Sequence, residues 1–125
     1  MSTIDLSVIL FAFNEEANIG PVLTELRAWL SAHEPTAEVV FVDDGSSDRT
    51  AAEAQKALDG SQHQILRHDN NRGIGAALKT GVRAAKGAWV TFLPADGQIA
   101  PEAIGTLRDA AAAAHAEVVF SVYDD

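Results

Sequence analysis

Short apolar runs alternate with longer segments of helical periodicity along this chain. The apolar runs cover residues 4–13, 39–42, 65–66, 89–93 and 118–122. Residues 8–11 of the first run and the whole of the second are apolar without alternation, as expected of strands buried on both faces. Strand–helix alternation predicts βαβ units and a parallel sheet with helices on both faces. Because crossovers are right-handed, the predicted fold class is α/β, a doubly wound Rossmann-like sheet.

Capping and breaker residues predict where the helices begin and end. Pro21 must lie in the first turn of its helix, so we expect that helix to begin near Asn18, a good N-cap. The other helices are predicted from a capping box at Thr50–Glu53 to Gly60, from about Gly75 to Gly87, and from Pro101 onward.

Length and composition limit the class of protein. A chain of 125 residues with 47% hydrophobic content predicts one domain, residues 1–125, with no linker. The net charge of −9 argues against nucleic acid as a partner. There is no cysteine, no basic leader after Met1 and no apolar run long enough for a membrane span, so a cytoplasmic location is expected.

Polar residues follow the first two predicted strands, at the sheet edge where such folds bind ligands. Asn14 and Glu15 fall in the first connecting loop and either face a ligand or serve as ordinary capping residues. Asp43 and Asp44 end the second strand, where adjacent carboxylates are costly unless solvated, hydrogen-bonded or paired. Turn chemistry explains the serines that follow but not these two aspartates.

The later strand ends carry weaker signals. Gly73 and Gly75 precede a helix, where backbone N–H groups can approach a phosphate, but Leu78 stands where a dinucleotide fingerprint needs a third glycine. Asp96 and Gln98 supply alternate oxygen-bearing side chains, a reasonable beginning for a hard-cation site.

The histidines and tryptophans receive no functional role at this point. His33, His63, His68 and His115 show no metal-ligand spacing. Trp29 and Trp89 are expected in the core.

The four strand ends together resemble the family 2 glycosyltransferases of GT-A fold, in particular their polyprenyl-phosphate, dolichol-phosphate mannose synthase-like branch. The resemblance rests on Ser-Val-Ile-Leu-Phe-Ala-Phe-Asn-Glu-Glu at 7–16, Val-Asp-Asp-Gly-Ser-Ser-Asp-Arg-Thr at 42–50, Asn-Arg-Gly-Ile-Gly-Ala-Ala at 71–77, and Pro-Ala-Asp-Gly-Gln at 94–98 with Pro101-Glu102. The second element is highly specific, and four elements in this order make coincidence improbable.

The resemblance implies that these strand ends bind a nucleotide-diphosphate sugar, with UDP or GDP as the nucleotide. Within it, Asp44 would meet the base edge, Asp96 would be the second carboxylate of an Asp-x-Asp motif that holds Mg²⁺ or Mn²⁺, and Gln98 would follow it. The other implied donor-site residues are Ala12, Phe13, Glu15, Asp43, Arg72, Gly73 and Lys79. The implied activity is inverting transfer to an acceptor such as a polyprenyl phosphate at a membrane surface, or a glycan.

Two features depart from the family pattern. Pro94 stands in place of the first carboxylate of the motif, so metal would be held more weakly or used differently. The family continues past the fifth strand into the acceptor site and the catalytic base, so the chain resembles the donor-binding half and would reach a membrane only through that further sequence.

Other readings remain open at the level of sequence. One is a nucleotide-binding or assembly module without turnover, which Pro94 favours. An NAD-linked Rossmann domain would need a fingerprint after the first strand, and none is present. An exposed edge strand would give a route to a homo-oligomer.

Overall fold

The computed structural model describes residues 4–93, 95, 101, 102, 104 and 105 of the chain. Its elements are β1 (Leu6–Ala12), α1 (Ile19–His33), β2 (Glu38–Asp43), α2 (Thr50–Leu58), β3 (His63–Arg67), α3 (Ile74–Ala84) and β4 (Trp89–Phe92). Glu102, Ile104 and Gly105 are also helical, as predicted after Pro101. The predicted fifth strand, residues 118–122, lies outside the described residues.

The four strands form one parallel sheet in the order β3-β2-β1-β4. β1 lies between β2 and β4, with Ser7 opposite both Glu38 and Val90, and Ala12 opposite Asp43. The chain moves outward from β1 to β3 and then returns to the other side of β1. This reversal confirms the predicted Rossmann-like α/β fold and places the ligand crevice beyond the carboxyl ends of the strands.

Helices cover both faces of the central strands. On one face, Leu10 and Phe41 belong to a buried core that also includes Leu23 of α1 and Leu58 of α2. On the other face α3 approaches so closely that a Cβ at Gly81 would lie 2.5 Å from Ile9 Cγ2. Burial on both faces explains why the first two strands are apolar without alternation. Trp29 and Trp89 pack against the core and remain only half-buried.

The predicted start of α1 is confirmed, but the capping box of α2 is wrong. Asn18 is the N-cap residue of α1, although its side chain donates to Glu15 Oε2 (2.9 Å) rather than capping the helix. Thr50 is the first helical residue of α2 rather than its cap. The carboxylate of Asp48, two residues earlier, accepts from the Thr50 amide (2.9 Å) and hydroxyl (2.5 Å). An aspartate therefore satisfies the orphan donor that the capping box would have satisfied.

Gly87 does not end α3, which stops at Ala84. It allows two backbones to meet, since a Cβ there would lie 2.6 Å from Ser7 N. The Gly87 amide donates to Ser7 Oγ (2.8 Å) at this point. Gly87 thus allows the segment before β4 to pack against the amino end of β1, and it does not terminate the helix as predicted.

A buried carboxylate joins the amino ends of three strands. Glu38 is 1% exposed and accepts from Ser7 Oγ (2.6 Å), Gln64 Nε2 (2.9 Å) and the Lys86 amide (2.7 Å). Three donors surround it, so both of its carboxylate oxygens are hydrogen-bonded. This network lies at the end of the sheet opposite the ligand crevice.

Candidate functional site

A cleft of about 370 Å³ opens at the carboxyl ends of the strands. The lining comes from the ends of β1 and β2 and from the segments after β3 and β4: Phe11, Ala12, Phe13, Glu15, Asp44, Asn71, Gly73, Ile74 and Ala95. Phe13 and Ile74 are 45% and 62% exposed, so apolar surface is available in it. Its size and mixed lining suit a small organic ligand.

A second cavity, of about 190 Å³, lies near the C-terminus of α1 and the loop before β3. Its lining includes Arg27, Ala37 and Gly60 but none of the strand-end motif residues. The Arg27 guanidinium already donates to the carbonyls of Ala57 (3.2 Å) and Asp59 (2.6 Å). The motif residues at the strand ends therefore favour the larger cleft as the functional site.

Asp44 is the hydrogen-bonding centre of the larger cleft. It is 3% exposed and follows β2 directly. Its Oδ1 accepts from His68 Nδ1 (2.7 Å) and from the Arg72 amide (2.9 Å), while Oδ2 accepts from the Gly73 amide (2.9 Å). Asp44 thus ties the end of β2 to the loop that leads into α3.

These contacts keep Asp44 ionised. Burial alone would raise the pKa of its carboxyl, but the hydrogen bonds from His68 and from the Arg72 and Gly73 amides outweigh burial and lower the pKa below its usual range. The positive charge of a protonated His68 would act in the same direction. The cleft wall consequently presents a carboxylate at neutral pH.

Asp43 has a different environment from its neighbour. It is fully buried, its Oδ1 accepts from the Ser46 amide (3.0 Å), and its Oδ2 lies 3.4 Å from Arg67 Nε. That ion pair lacks hydrogen-bond geometry, and Oδ2 has no hydrogen-bond partner among the described residues. Arg67 also donates to the Ser46 carbonyl (2.9 Å), so Asp43 and Arg67 together fix the turn after β2.

Gly45 lets two loops approach each other behind the cleft. Its φ of 78° is in the left-handed region, and a Cβ would lie 2.5 Å from Asn71 N and 2.8 Å from the Asn70 carbonyl oxygen. Any side chain would both strain this backbone and push the 70–73 loop away from Asp44.

The loop after β1 is hydrogen-bonded to the loop after β2. Asn14, at a φ of 53°, donates its amide to Ser46 Oγ (2.8 Å) and accepts from the Ser47 amide through Oδ1 (2.9 Å). The Glu15 amide donates to Thr50 Oγ1 (2.8 Å). Asn14 is therefore used to hold the loops together, whereas Glu15 lies in the cleft lining.

The predicted donor-site residues divide into three groups. Those that line the cleft are Ala12, Phe13, Glu15, Asp44 and Gly73. Among the described residues, those outside its lining are Asp43, Arg72 and Lys79, although the Arg72 amide supports Asp44 from behind. Pro94, Asp96 and Gln98 lie outside the described residues. Metal binding by Asp96 and Gln98 therefore stays a prediction.

His68 and Thr80 were not predicted, yet they belong to the same network. His68 follows β3, is 8% exposed and contacts both Asp44 and Thr80 Oγ1, each at 2.7 Å. In sequence, His68 has no ligand spacing and Thr80 is an ordinary helix residue. Nothing in the one-dimensional pattern marks a pair that forms only when α3 folds back over β3.

Two features of the described residues concern metal ions and membranes. No cluster of three or more carboxylate or histidine side chains that would hold a metal ion occurs in that part of the chain. Within the same residues, no helix combines the length and apolar character needed to cross a membrane.

Comparison with known proteins identifies the class and then the family. The solved structures that resemble this chain include the Staphylococcus aureus protein TarS, residues 1–349, with UDP-GlcNAc (TM-score 0.69, 30% identity, 87% of this chain and 30% of that chain). They also include the mannosyltransferase PcManGT from Pyrobaculum calidifontis with GDP-Man and Mn²⁺ (TM-score 0.67, 26% identity, 75% of this chain and 28% of that chain). The fold is that of the GT-A glycosyltransferases.

The family assignment follows from the sequence match. The model of glycosyl transferase family 2 matches residues 7–125, and the chain belongs to that family. A curated relative, dolichol-phosphate mannosyltransferase of Saccharomyces cerevisiae, is 36% identical over 107 residues, which are 84% of this chain and 40% of that protein. The chain spans about a third to two fifths of the length of the curated relatives it matches.

Proposed function

We propose that the cleft beside Asp44 binds the nucleotide of a UDP- or GDP-sugar. In this proposal the chain is the donor-binding half of an inverting glycosyltransferase, and the sugar passes to an acceptor such as a polyprenyl phosphate or a glycan. The relatives support the chemical class, because PcManGT and TarS were solved with GDP-Man and UDP-GlcNAc, respectively.

The observation that carries the proposal is the buried, ionised carboxylate in the cleft wall. A carboxylate offers about four acceptor positions, and within the described part of the chain Asp44 uses three of them. In this proposal the fourth, on Oδ2, accepts from an N–H of a base that lies in the cleft. The exposed apolar side chains of Phe13 and Ile74 suit the faces of a planar base.

The start of α3 provides a place for the diphosphate. Gly73 is the N-cap of α3 and lines the cleft, so backbone N–H groups and the positive end of the helix dipole lie beside it. Arg72 and Lys79 are exposed on this segment and would add positive charge. A diphosphate could therefore be held mainly by backbone groups in a chain of net charge −9.

Metal binding is proposed for Asp96 and Gln98, which would hold Mg²⁺ or Mn²⁺ with the donor diphosphate. A divalent ion there would offset the negative charge of the departing diphosphate.

A binding assay with matched ligands tests the proposal. We expect UDP or GDP, but not NAD, to raise the melting temperature of the 125-residue chain, because a ligand of the folded state adds about 2.7 kcal/mol at a hundredfold excess over Kd. Each nucleotide is measured with and without Mn²⁺. If neither nucleoside diphosphate changes the melting temperature in either condition, the proposed donor site is wrong.

Transfer activity is measured on the same sample. A radiolabelled-donor assay with polyprenyl-phosphate and simple sugar acceptors should show little or no turnover, because a general base contributes about 10²–10⁴-fold and acceptor positioning contributes more. Nucleotide binding without turnover is expected of a donor-binding half, and it would also fit an assembly module. Robust multiple turnover would contradict both and would call for a base within this chain.

A further inference from the structure

His68 is a buried titratable side chain that the proposed donor chemistry does not use. It is 8% exposed and follows β3, and its own amide donates to the Asp43 carbonyl (2.9 Å). Both ring nitrogens have a partner at 2.7 Å, Asp44 Oδ1 at Nδ1 and Thr80 Oγ1 at Nε2. A fully partnered imidazole is held in one ring orientation.

The partners determine the direction of each hydrogen bond. An ionised Asp44 only accepts, so His68 Nδ1 must carry a proton. Thr80 both donates and accepts, so its hydroxyl can donate to a neutral Nε2 or accept from a protonated one. His68 therefore donates to Asp44 in either protonation state, and Thr80 holds the far side of the ring.

The contact with His68 fixes the orientation of a carboxylate that lines the cleft. The terminal torsion of an aspartate is soft, so only its hydrogen bonds set the plane of the two oxygens. The Arg72 and Gly73 amides come from the backbone that leads into α3, whereas His68 follows β3 and contacts Thr80 of α3 through its other ring nitrogen. His68 is thus the side-chain donor among these three, and its ring is held at both nitrogens.

We propose that His68 is a positioning residue of the donor site, which acts through Asp44 to aim Oδ2 into the cleft. The inference rests on the proposed nucleotide-binding function. It predicts that the nucleotide affinity depends on a donor at the Nδ1 position of residue 68 and not on the histidine ring itself.

A purely structural role for His68 would give a different result. Gln64 supplies a matched control, since it lies on β3, the strand that precedes His68, is half-buried, and donates to a carboxylate, Glu38 Oε1, at 2.9 Å. Glu38 is at the opposite end of the sheet from the cleft. Gln64→Leu should lower the melting temperature through loss of its hydrogen bonds to Glu38 Oε1 and to the Ala84 carbonyl (2.8 Å), and should leave nucleotide affinity unchanged.

The experiment compares His68→Leu, His68→Asn and Gln64→Leu by calorimetry with the nucleoside diphosphate that binds the wild type best. The asparagine Nδ2 can reach the position of the histidine Nδ1, so it retains the donor to Asp44. We expect His68→Leu to weaken binding about tenfold or more, as loss of a charge-assisted hydrogen bond would. His68→Asn should stay within about threefold of the wild type by the same scale.

Nitrogen chemical shifts of His68 provide a second measurement that needs no variant. They should show a proton on Nδ1 at every pH at which the chain is folded, and a proton on Nε2 alone would overturn the proposal. Wild-type affinity in His68→Leu, or equal loss in His68→Leu and His68→Asn, would also overturn it. If the wild type binds no nucleotide, the proposed function fails, and the nitrogen shifts still decide whether His68 donates to Asp44.

Discussion

Replacement of Asp44 by asparagine removes one charge and leaves the shape of the side chain unchanged. Three donors converge on the wild-type carboxylate, two on Oδ1 and one on Oδ2. The amide would turn its oxygen toward His68 and the Arg72 amide, because the reverse orientation opposes two donors instead of one. Its NH₂ group would then face the Gly73 amide, so one hydrogen bond is lost and two are weakened.

The expected loss of stability follows from that arrangement. A hydrogen bond to a charged group contributes about 1.5–3 kcal/mol, and an unsatisfied buried donor costs about 1–3 kcal/mol. We therefore expect Asp44→Asn to lower the free energy of unfolding by about 2–4 kcal/mol at pH 7, after allowance for partial solvation of the loop. Urea denaturation measures this value, and Asp69→Asn, an exposed carboxylate in the following loop, is the control that should stay within about 0.5 kcal/mol.

The pH dependence gives an independent test of the same contacts. The folded-state pKa of Asp44 is lowered from its ordinary value of 3.8, so its contribution is fully present above that value. The contribution is lost as the pH falls through the folded-state pKa. The stability gap between wild type and Asp44→Asn should thus be present at pH 5 and above and shrink below about pH 4. A gap under about 0.5 kcal/mol at pH 7, or one that persists unchanged in acid, would refute the reasoning.

Three further predictions concern other parts of the chain. Gly45→Ala should lower the free energy of unfolding by about 2–4 kcal/mol and weaken nucleotide binding, because its Cβ would meet the Asn71 backbone. Calorimetric unfolding measures the loss of stability, and Gly75→Ala, with open space around the added Cβ, is the control that should be neutral or stabilising. Glu38→Gln should lower the free energy of unfolding by about 2–3 kcal/mol, since an NH₂ group would face one of three donors. Nucleotide titration should show no change in affinity, and a tenfold loss would contradict the placement of Glu38 away from the binding cleft. Pro94→Asp should strengthen Mn²⁺ binding in the presence of nucleoside diphosphate, and tight binding already in the wild type with no gain would show that Pro94 is not a lost ligand.

The fold was largely predictable because the apolar pattern of the strands is strong. β1 and β2 are buried on both faces, so each gives an unbroken apolar run, and α1 has a clear stripe and a proline that fixes its start. β3 is only half-buried, which is why its sequence signal covered two residues of an element that spans His63–Arg67. Helix ends were harder to predict, because Gly87 and Thr50 make contacts with distant parts of the chain and do not cap their helices. Gly87 meets Ser7, and the Thr50 hydroxyl accepts from the Glu15 amide.

The location of the candidate site could be predicted from the sequence, but the roles of its individual residues could not. Strand ends of a parallel sheet collect at one edge, so Asp44 and Glu15 could be expected there. Asp43 and Asp44 are adjacent in sequence, yet one is tied to Arg67 under the turn and the other lines the cleft. Successive side chains of a strand alternate in direction, and that geometry separates the two carboxylates. The pairing of His68 with Asp44 depends on packing between elements and has no local signal.

The motif that most strongly indicated a binding site is mainly used to build the loops around it. In the segment after β2, Ser46, Ser47 and Thr50 hydrogen-bond the loop after β1. Only Asp44 of this motif lines the cleft. Because the loops are bonded to each other before any ligand arrives, the cost of ordering them is met in folding rather than in binding. Ser46→Ala should therefore weaken nucleotide binding by removing the hydrogen bond that holds the Asn14 backbone, and not by removing a contact with the ligand. In titration calorimetry, the entropy of binding should become less favourable by more than the enthalpy does.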